Sequence, residues 1–137
     1  MDRPELMLAD RHEHGPVVAR LLKAHTGGYD DLDWSDIGEN WILAVLGSEV
    51  VGCVQVLPGY PVGRAEMLGL ADSLTTIQRA AVVSALIEQA CLTLQIAGCG
   101  VVQTSVAHEL SGFTRSLERR GFHPVCDGQI LARRMQA

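Results

Sequence analysis

Apolar positions along the chain fall into segments of two periods. Trp41 to Leu46 and Val50 to Leu57 are β-branched, apolar runs joined by Gly47-Ser48-Glu49, and Pro58-Gly59-Tyr60-Pro61 closes the second. This pattern predicts an antiparallel hairpin. Glu5 to Ala9 alternates and predicts a first strand, and Gly63 to Ala71 predicts the strand after the hairpin. Between them, Val18, Leu21, Leu22 and His25 share one face at helical spacing. Gly15-Pro16 places proline at a first helical position there, and Gly27-Gly28 ends the run. Thr75-Thr76-Ile77-Gln78 has the form of a capping box and predicts the start of a long helix ending at Gly98. Its less apolar positions Ser84, Glu88, Cys91 and Gln95 leave a wide apolar surface around Ala81, Ala85, Leu86, Leu92 and Ile96, expected to pack on a sheet. Gly100 to Ala107 reads as a buried strand and Leu110 to Arg120 as a helix stopped by Gly121. Asp127-Gly128 reads as the turn between two short strands.

This order predicts an α/β fold with a mixed sheet, and the absence of a repeat or linker predicts one domain over residues 1–137. A net charge of -5 makes nucleic acid a poor partner. Cys53, Cys91, Cys99 and Cys126 show no Cys-x-x-Cys pair and no framework spacing, so buried reduced thiols are expected. Asp2, Arg3, Glu5 and Asp10 interrupt the first ten residues, so a secretory leader is not expected and a cytoplasmic protein is. No formal charge occurs between Glu88 and His108. The glycines and glutamines among those residues argue for a buried helix and strand rather than a membrane span.

Two words narrow the fold. Arg64-Ala65-Glu66-Met67-Leu68-Gly69-Leu70 and Leu117-Glu118-Arg119-Arg120-Gly121-Phe122-His123-Pro124-Val125, one on each side of the long helix, resemble the fourth strand and the closing helix of the GNAT superfamily of N-acetyltransferases. The resemblance runs from Glu5 to Met135. It implies a mixed, mostly antiparallel central sheet with helices on both faces, acetyl-CoA as acyl donor, and an amine acceptor that attacks directly. In that family a Gln/Arg-x-x-Gly-x-Gly/Ala loop presents backbone amides to the pyrophosphate of the donor. Here Gln78-Arg79-Ala80-Ala81-Val82-Val83 takes that slot, with Ala81 and Val83 in place of the glycines. Leu70, Ala71 and Asp72 match the strand end that holds the pantetheine arm. The tyrosine that protonates the leaving thiolate in the family corresponds to Leu117. Ser116, its neighbour, is rotated by about 100 degrees on a helix. The asparagine common near that helix's start falls near Leu110.

Amine acylation needs a group that removes a proton from the acceptor, and Glu66 is the first candidate, with a solvent-facing strand carboxylate as the plain alternative. His108, at the C-terminal end of a predicted strand, is the second, against a loop or cap histidine. Gln78 and Arg79 are candidates for phosphate contact, beside a cap and a solvated helix face. Asp30, Asp31, Asp33 and Asp36 suit either an acidic lip for a cationic amine or a solvated loop. His12-Glu13-His14 lacks further ligands at zinc-site spacing, so no metal is expected. Cys53 and Cys91 lack the basic context of a nucleophile. Two readings stand: an acetyl-CoA-dependent N-acyltransferase acting on a small amine or a protein amino group, or a catalytically inactive domain of the same fold that binds a metabolite or partner protein. The mostly apolar terminal strands make a homodimer an expectation.

Overall fold

An aspartate opens the first helix. Asp10 Oδ1 accepts the N–H groups of His12 at 2.8 Å and Glu13 at 3.3 Å, and His14 Nδ1 accepts the Asp10 N–H at 2.8 Å. The cap sets the start of α1 (Arg11–Thr26) five residues before Pro16, which therefore lies inside the helix. This corrects the expectation that proline opens it. The first turns form because two orphan donors are satisfied by one carboxylate, which outweighs the single backbone donor that Pro16 lacks.

The computed structural model describes residues 3–26, 39–105, 111–125 and 130–135. The further elements are β1 (Glu5–Leu8), β2 (Trp41–Leu46), β3 (Glu49–Leu57), β4 (Val62–Leu70), α2 (Thr76–Ile96), β5 (Val101–Ser105), α3 (Ser111–Arg119), β6 (His123–Pro124) and β7 (Ile130–Arg134). The strands are ordered β1-β2-β3-β4-β5-β7-β6 in a seven-stranded sheet. The pairs β1·β2, β2·β3, β5·β7 and β6·β7 are antiparallel, and β4·β5 is parallel. The fold is thus the mixed, mostly antiparallel α/β class expected. Two compact units divide the chain, residues 1–55 with 67–90 and residues 56–66 with 91–137.

In the first unit β2 and β3 form the predicted hairpin, with Gly47 at φ +64 in the turn. Side chains alternate across β3, so Gly52 and Cys53 point to opposite faces. On one face, Cys53 joins Val18, Leu21, Leu22, Trp41 and Leu43 in a buried cluster. A Cβ at Gly69 would stand 3.0 Å from the backbone of Leu21 and Leu22, so α1 lies directly on β4 there. On the other face, a Cβ at Gly52 would meet Val82 Cγ1 at 2.7 Å and Leu86 Cδ1 at 3.0 Å, so α2 lies directly on β3. Glycine on the sheet is what lets each helix approach so closely. Helices therefore cover both sheet faces in this unit.

The buried stripe of α2 is Val82, Leu86, Ala90 and Leu94, with Val83, Ile87 and Cys91 beside it. Leu92 and Ile96 are 48% and 78% exposed, which corrects their expected place on the packed face, and Cys91 is buried rather than on the polar side. The helix is apolar nearly all round, so its sequence carries little periodic signal. The positions that meet sheet glycines decide which face is buried. Although α2 has the length and composition of a membrane span, these side chains pack inside the protein.

In the second unit β5 and β7 pair over five positions, from Val101 opposite Arg134 to Ser105 opposite Ile130. A Cβ at Gly63 of β4 would meet Cys99 Sγ at 2.7 Å and Leu94 Cδ2 at 3.0 Å. The ends of α2 and α3 are built alike. Cys99 N–H donates to Leu94 O and Phe122 N–H to Leu117 O, with Gly98 at φ +98 and Gly121 at φ +90. Both are Schellman stops, as the two glycines predict. Leu117 and Phe122 are buried.

Candidate functional site

Parallel pairing of β4 with β5 sets Val62, Gly63 and Arg64 opposite Val101, Val102 and Gln103. Two residues further on, the register brings Glu66 to Ser105. Ser105 Oγ donates to Glu66 Oε1 at 3.4 Å, and the Ser105 backbone N–H also donates to the carboxylate. Burial pushes the Glu66 carboxyl above the usual glutamate value, against the opposing pull of the Ser105 hydrogen bonds and the Arg64 charge. Glu66 is thus a half-buried carboxylate held from β5, not a freely solvated one. A carboxylate with raised proton affinity is better suited to accept a proton near neutrality.

The next residue, Met67, has φ +57. A left-handed conformation at a non-glycine position costs on the order of 1–2 kcal/mol. The division between the two units falls between Glu66 and Met67. Beyond it, Leu70 is buried and the Ala71 N–H donates to Val51 O at 2.9 Å, while Asp72 is exposed. The Ala71 amide donor is therefore committed to the sheet.

At the start of α2 the capping box forms as predicted. Gln78 N–H donates to Thr75 Oγ1 at 3.2 Å, and Thr75 N–H donates to Gln78 Oε1 at 2.9 Å. Arg79 N–H reaches Thr75 O at 2.8 Å as the first helical bond. The helix therefore runs through all six residues Gln78, Arg79, Ala80, Ala81, Val82 and Val83, which the family resemblance assigns to a phosphate loop. From Arg79 onward their amides bond to carbonyls four residues back. The first-turn donors that neither the box nor the helix uses are the Thr76 and Ile77 N–H groups, at the positive end of the dipole. Val82 and Val83 are both buried, whereas Ala80 is exposed. The extra bulk of Val83 thus lies in the core.

The remaining candidates separate. His14 serves the α1 cap, its Nε2 lies 4.0 Å from Glu13 Oε1, and no group of metal-ligating residues occurs among the described residues. Cys53, Cys91 and Cys99 are buried free thiols, and burial raises Cys53 to about 12, far from a nucleophilic thiolate. Leu117 is fully buried, and Ser116 accepts Arg120 Nη1 at both its carbonyl and its hydroxyl. His108, Leu110, Asp30, Asp31, Asp33, Asp36 and Cys126 lie outside the described residues.

Sequence reasoning missed Ser105 and the conformation of Met67. Strand register is a long-range property that no local pattern around Ser105 encodes, and methionine carries no preference for positive φ.

No family model and no curated protein matches the sequence. Solved structures do match the fold. Ard1 from Thermoplasma volcanium superposes with a TM-score of 0.79 at 12% identity, covering 99% of this chain and 100% of that one. A GNAT family acetyltransferase from Elizabethkingia anophelis, solved with acetyl-CoA bound, gives 0.76 at 14% identity, covering 98% and 100%. An acetyltransferase of the GNAT family from Staphylococcus aureus gives 0.75 at 9% identity, covering 97% and 99%.

Proposed function

From a fold that is the GNAT acetyltransferase fold across its length, we propose that this chain is an acetyl-CoA-dependent N-acyltransferase acting on a small amine or a protein amino group. The neighbour solved with acetyl-CoA supports the choice of donor. The observation that carries the reading is the Glu66 carboxylate, raised in proton affinity and held by Ser105.

Glu66 takes a proton from the acceptor's ammonium group, directly or through a water. The neutral amine then attacks the thioester carbonyl, so that a C–N bond forms and the C–S bond breaks. The proton that the attacking nitrogen sheds as the amide forms passes through solvent to the leaving thiolate, since the buried Leu117 offers no hydroxyl. Thr76 and Ile77 N–H at the α2 N-terminus, with Arg79 beside them, are the groups available to hold the donor's pyrophosphate.

Two features favour the second reading, a non-catalytic domain that binds a metabolite or partner protein: the helical course of Gln78 to Val83 and the buried leucine at position 117. Turnover of acetyl-CoA with a panel of amines and amino-terminal peptides, followed by thiol release, separates the two. Release that depends on the amine and falls in Glu66→Gln supports the enzyme. Binding of acetyl-CoA with no release toward any amine favours the second.

A further inference from the structure

Alternation along β4 sorts its side chains between the two faces of the second unit's sheet. A Cβ at Gly63 would meet Leu94 Cδ2 at 3.0 Å and Cys99 Sγ at 2.7 Å, and Ala65 is buried, so these two positions face α2. Val62, Arg64 and Glu66 therefore share the opposite face, where Val62 and Arg64 are exposed and Glu66 is half-buried. The register carries this face onto β5, with Gln103 opposite Arg64 and Ser105 reaching Glu66, while Val102 and Thr104 are buried on the α2 side. On β7 the exposed Arg134 stands opposite Val101, again on this face.

The candidate proton acceptor thus has a guanidinium as its neighbour along the same face of the same strand. Two residues of strand set the Arg64 and Glu66 Cα atoms roughly 6.6 Å apart. The hydrogen bonds that Glu66 accepts come from the Ser105 hydroxyl and backbone N–H, whereas Arg64 acts on it through charge alone. Among the described residues no partner occupies the Arg64 guanidinium, so its fork is left for an anion. A diamine seated on Glu66 would bring its second positive charge against Arg64, with Arg134 adding to the repulsion. An amine that also carries an anionic group satisfies both side chains.

We propose, resting on the acyltransferase reading above, that Arg64 is a specificity-determining residue: it holds the carboxylate of a zwitterionic amino acid whose ammonium group meets Glu66. A guanidinium fork matches a carboxylate in bidentate geometry, and such charge-assisted pairs are the stronger hydrogen bonds. The short spacing along β4 suits a ligand whose two charged ends are a few bonds apart. An internal or amino-terminal residue of a protein lacks the free carboxylate, so Arg64 selects the small-molecule acceptor over the protein amino group.

Thiol release from acetyl-CoA is measured with the standard amino acids, each beside its own carboxamide, for wild type, Arg64→Gln and Arg64→Lys. A carboxamide has the amine that is easier to deprotonate, so a preference for the free acid comes from recognition and not from reactivity. The best amino acid should exceed its carboxamide about tenfold or more in kcat/KM with wild type, mainly through KM. In Arg64→Gln that ratio should fall to about one, with Arg64→Lys between, because a point charge replaces the fork. Taking the ratio within one variant cancels whatever the lost charge does to Glu66. Carboxamides used as well as amino acids by wild type, or a ratio that survives Arg64→Gln, overturns the proposal. Should no amine release thiol, the acyltransferase reading fails, and calorimetric titration of the same amino acids decides the role of Arg64. Binding that Arg64→Gln weakens about tenfold supports it. Absence of binding, or binding indifferent to Arg64→Gln, overturns it.

Discussion

Ser105 Oγ lies 3.4 Å from Glu66 Oε1, so the last described residue of β5 positions the one carboxylate of β4. Burial raises the proton affinity of Glu66, so the folded state holds the proton more tightly than the unfolded chain. Its contribution to stability therefore falls as pH rises through the interval above the ordinary glutamate value. Amine-dependent thiol release should rise with pH across that interval as Glu66 ionises. Glu66→Gln should lose about 100-fold or more in kcat/KM and lose that limb of the profile, while its unfolding midpoint declines less with pH than wild type. A variant with wild-type rate and profile would remove Glu66 from the chemistry.

Ser105→Ala tests the positioning itself. Loss of a donor to the carboxylate should move the activity limb to higher pH, because hydrogen bonds from Ser105 favour the ionised form. An unmoved limb accompanied by a general loss of rate would indicate a structural role only.

Gly69 and Gly52 should differ in their tolerance of a methyl group. A Cβ at Gly69 meets α1 backbone at 3.0 Å, whereas at Gly52 it meets the side-chain methyls of Val82 and Leu86. Backbone yields less than side chains. Gly52→Ala should cost on the order of 1–3 kcal/mol and Gly69→Ala more, measured by chemical denaturation. The reverse order would contradict the packing of α1 on β4.

Leu117→Tyr places a hydroxyl where the resembled family carries its tyrosine. Because Leu117 is fully buried, the larger ring should cost about 1–3 kcal/mol of stability and leave acyl transfer no faster. A faster, equally stable variant would show that position 117 faces the reaction.

The long helix shows where sequence is sufficient and where it is not. Its start was legible because Thr75 and Gln78 satisfy each other's amides, a local event that local residues encode. Its stop at Gly98 was legible for the same reason. The buried face was not, because a helix apolar nearly all round leaves the choice to Gly52 and Gly63, which are remote in the chain. At α1 the Gly15-Pro16 pair was a weaker signal than Asp10, whose carboxylate takes two amides. Within the candidate site, Glu66 was legible from its place in the strand word. Its partner Ser105 and the left-handed Met67 follow from register and backbone bend, which no neighbouring residue types announce. The slot assigned at Gln78 to Val83 lies inside the helix that Thr75 caps, as the capping box predicts.

Calorimetric titration with acetyl-CoA, read together with the unfolding temperature, tests the central claim most directly. The account predicts saturable binding at about millimolar affinity or tighter, and a rise in unfolding temperature that grows with ligand concentration. No heat and no thermal shift at about millimolar acetyl-CoA would contradict it, leaving an acetyltransferase fold without its donor.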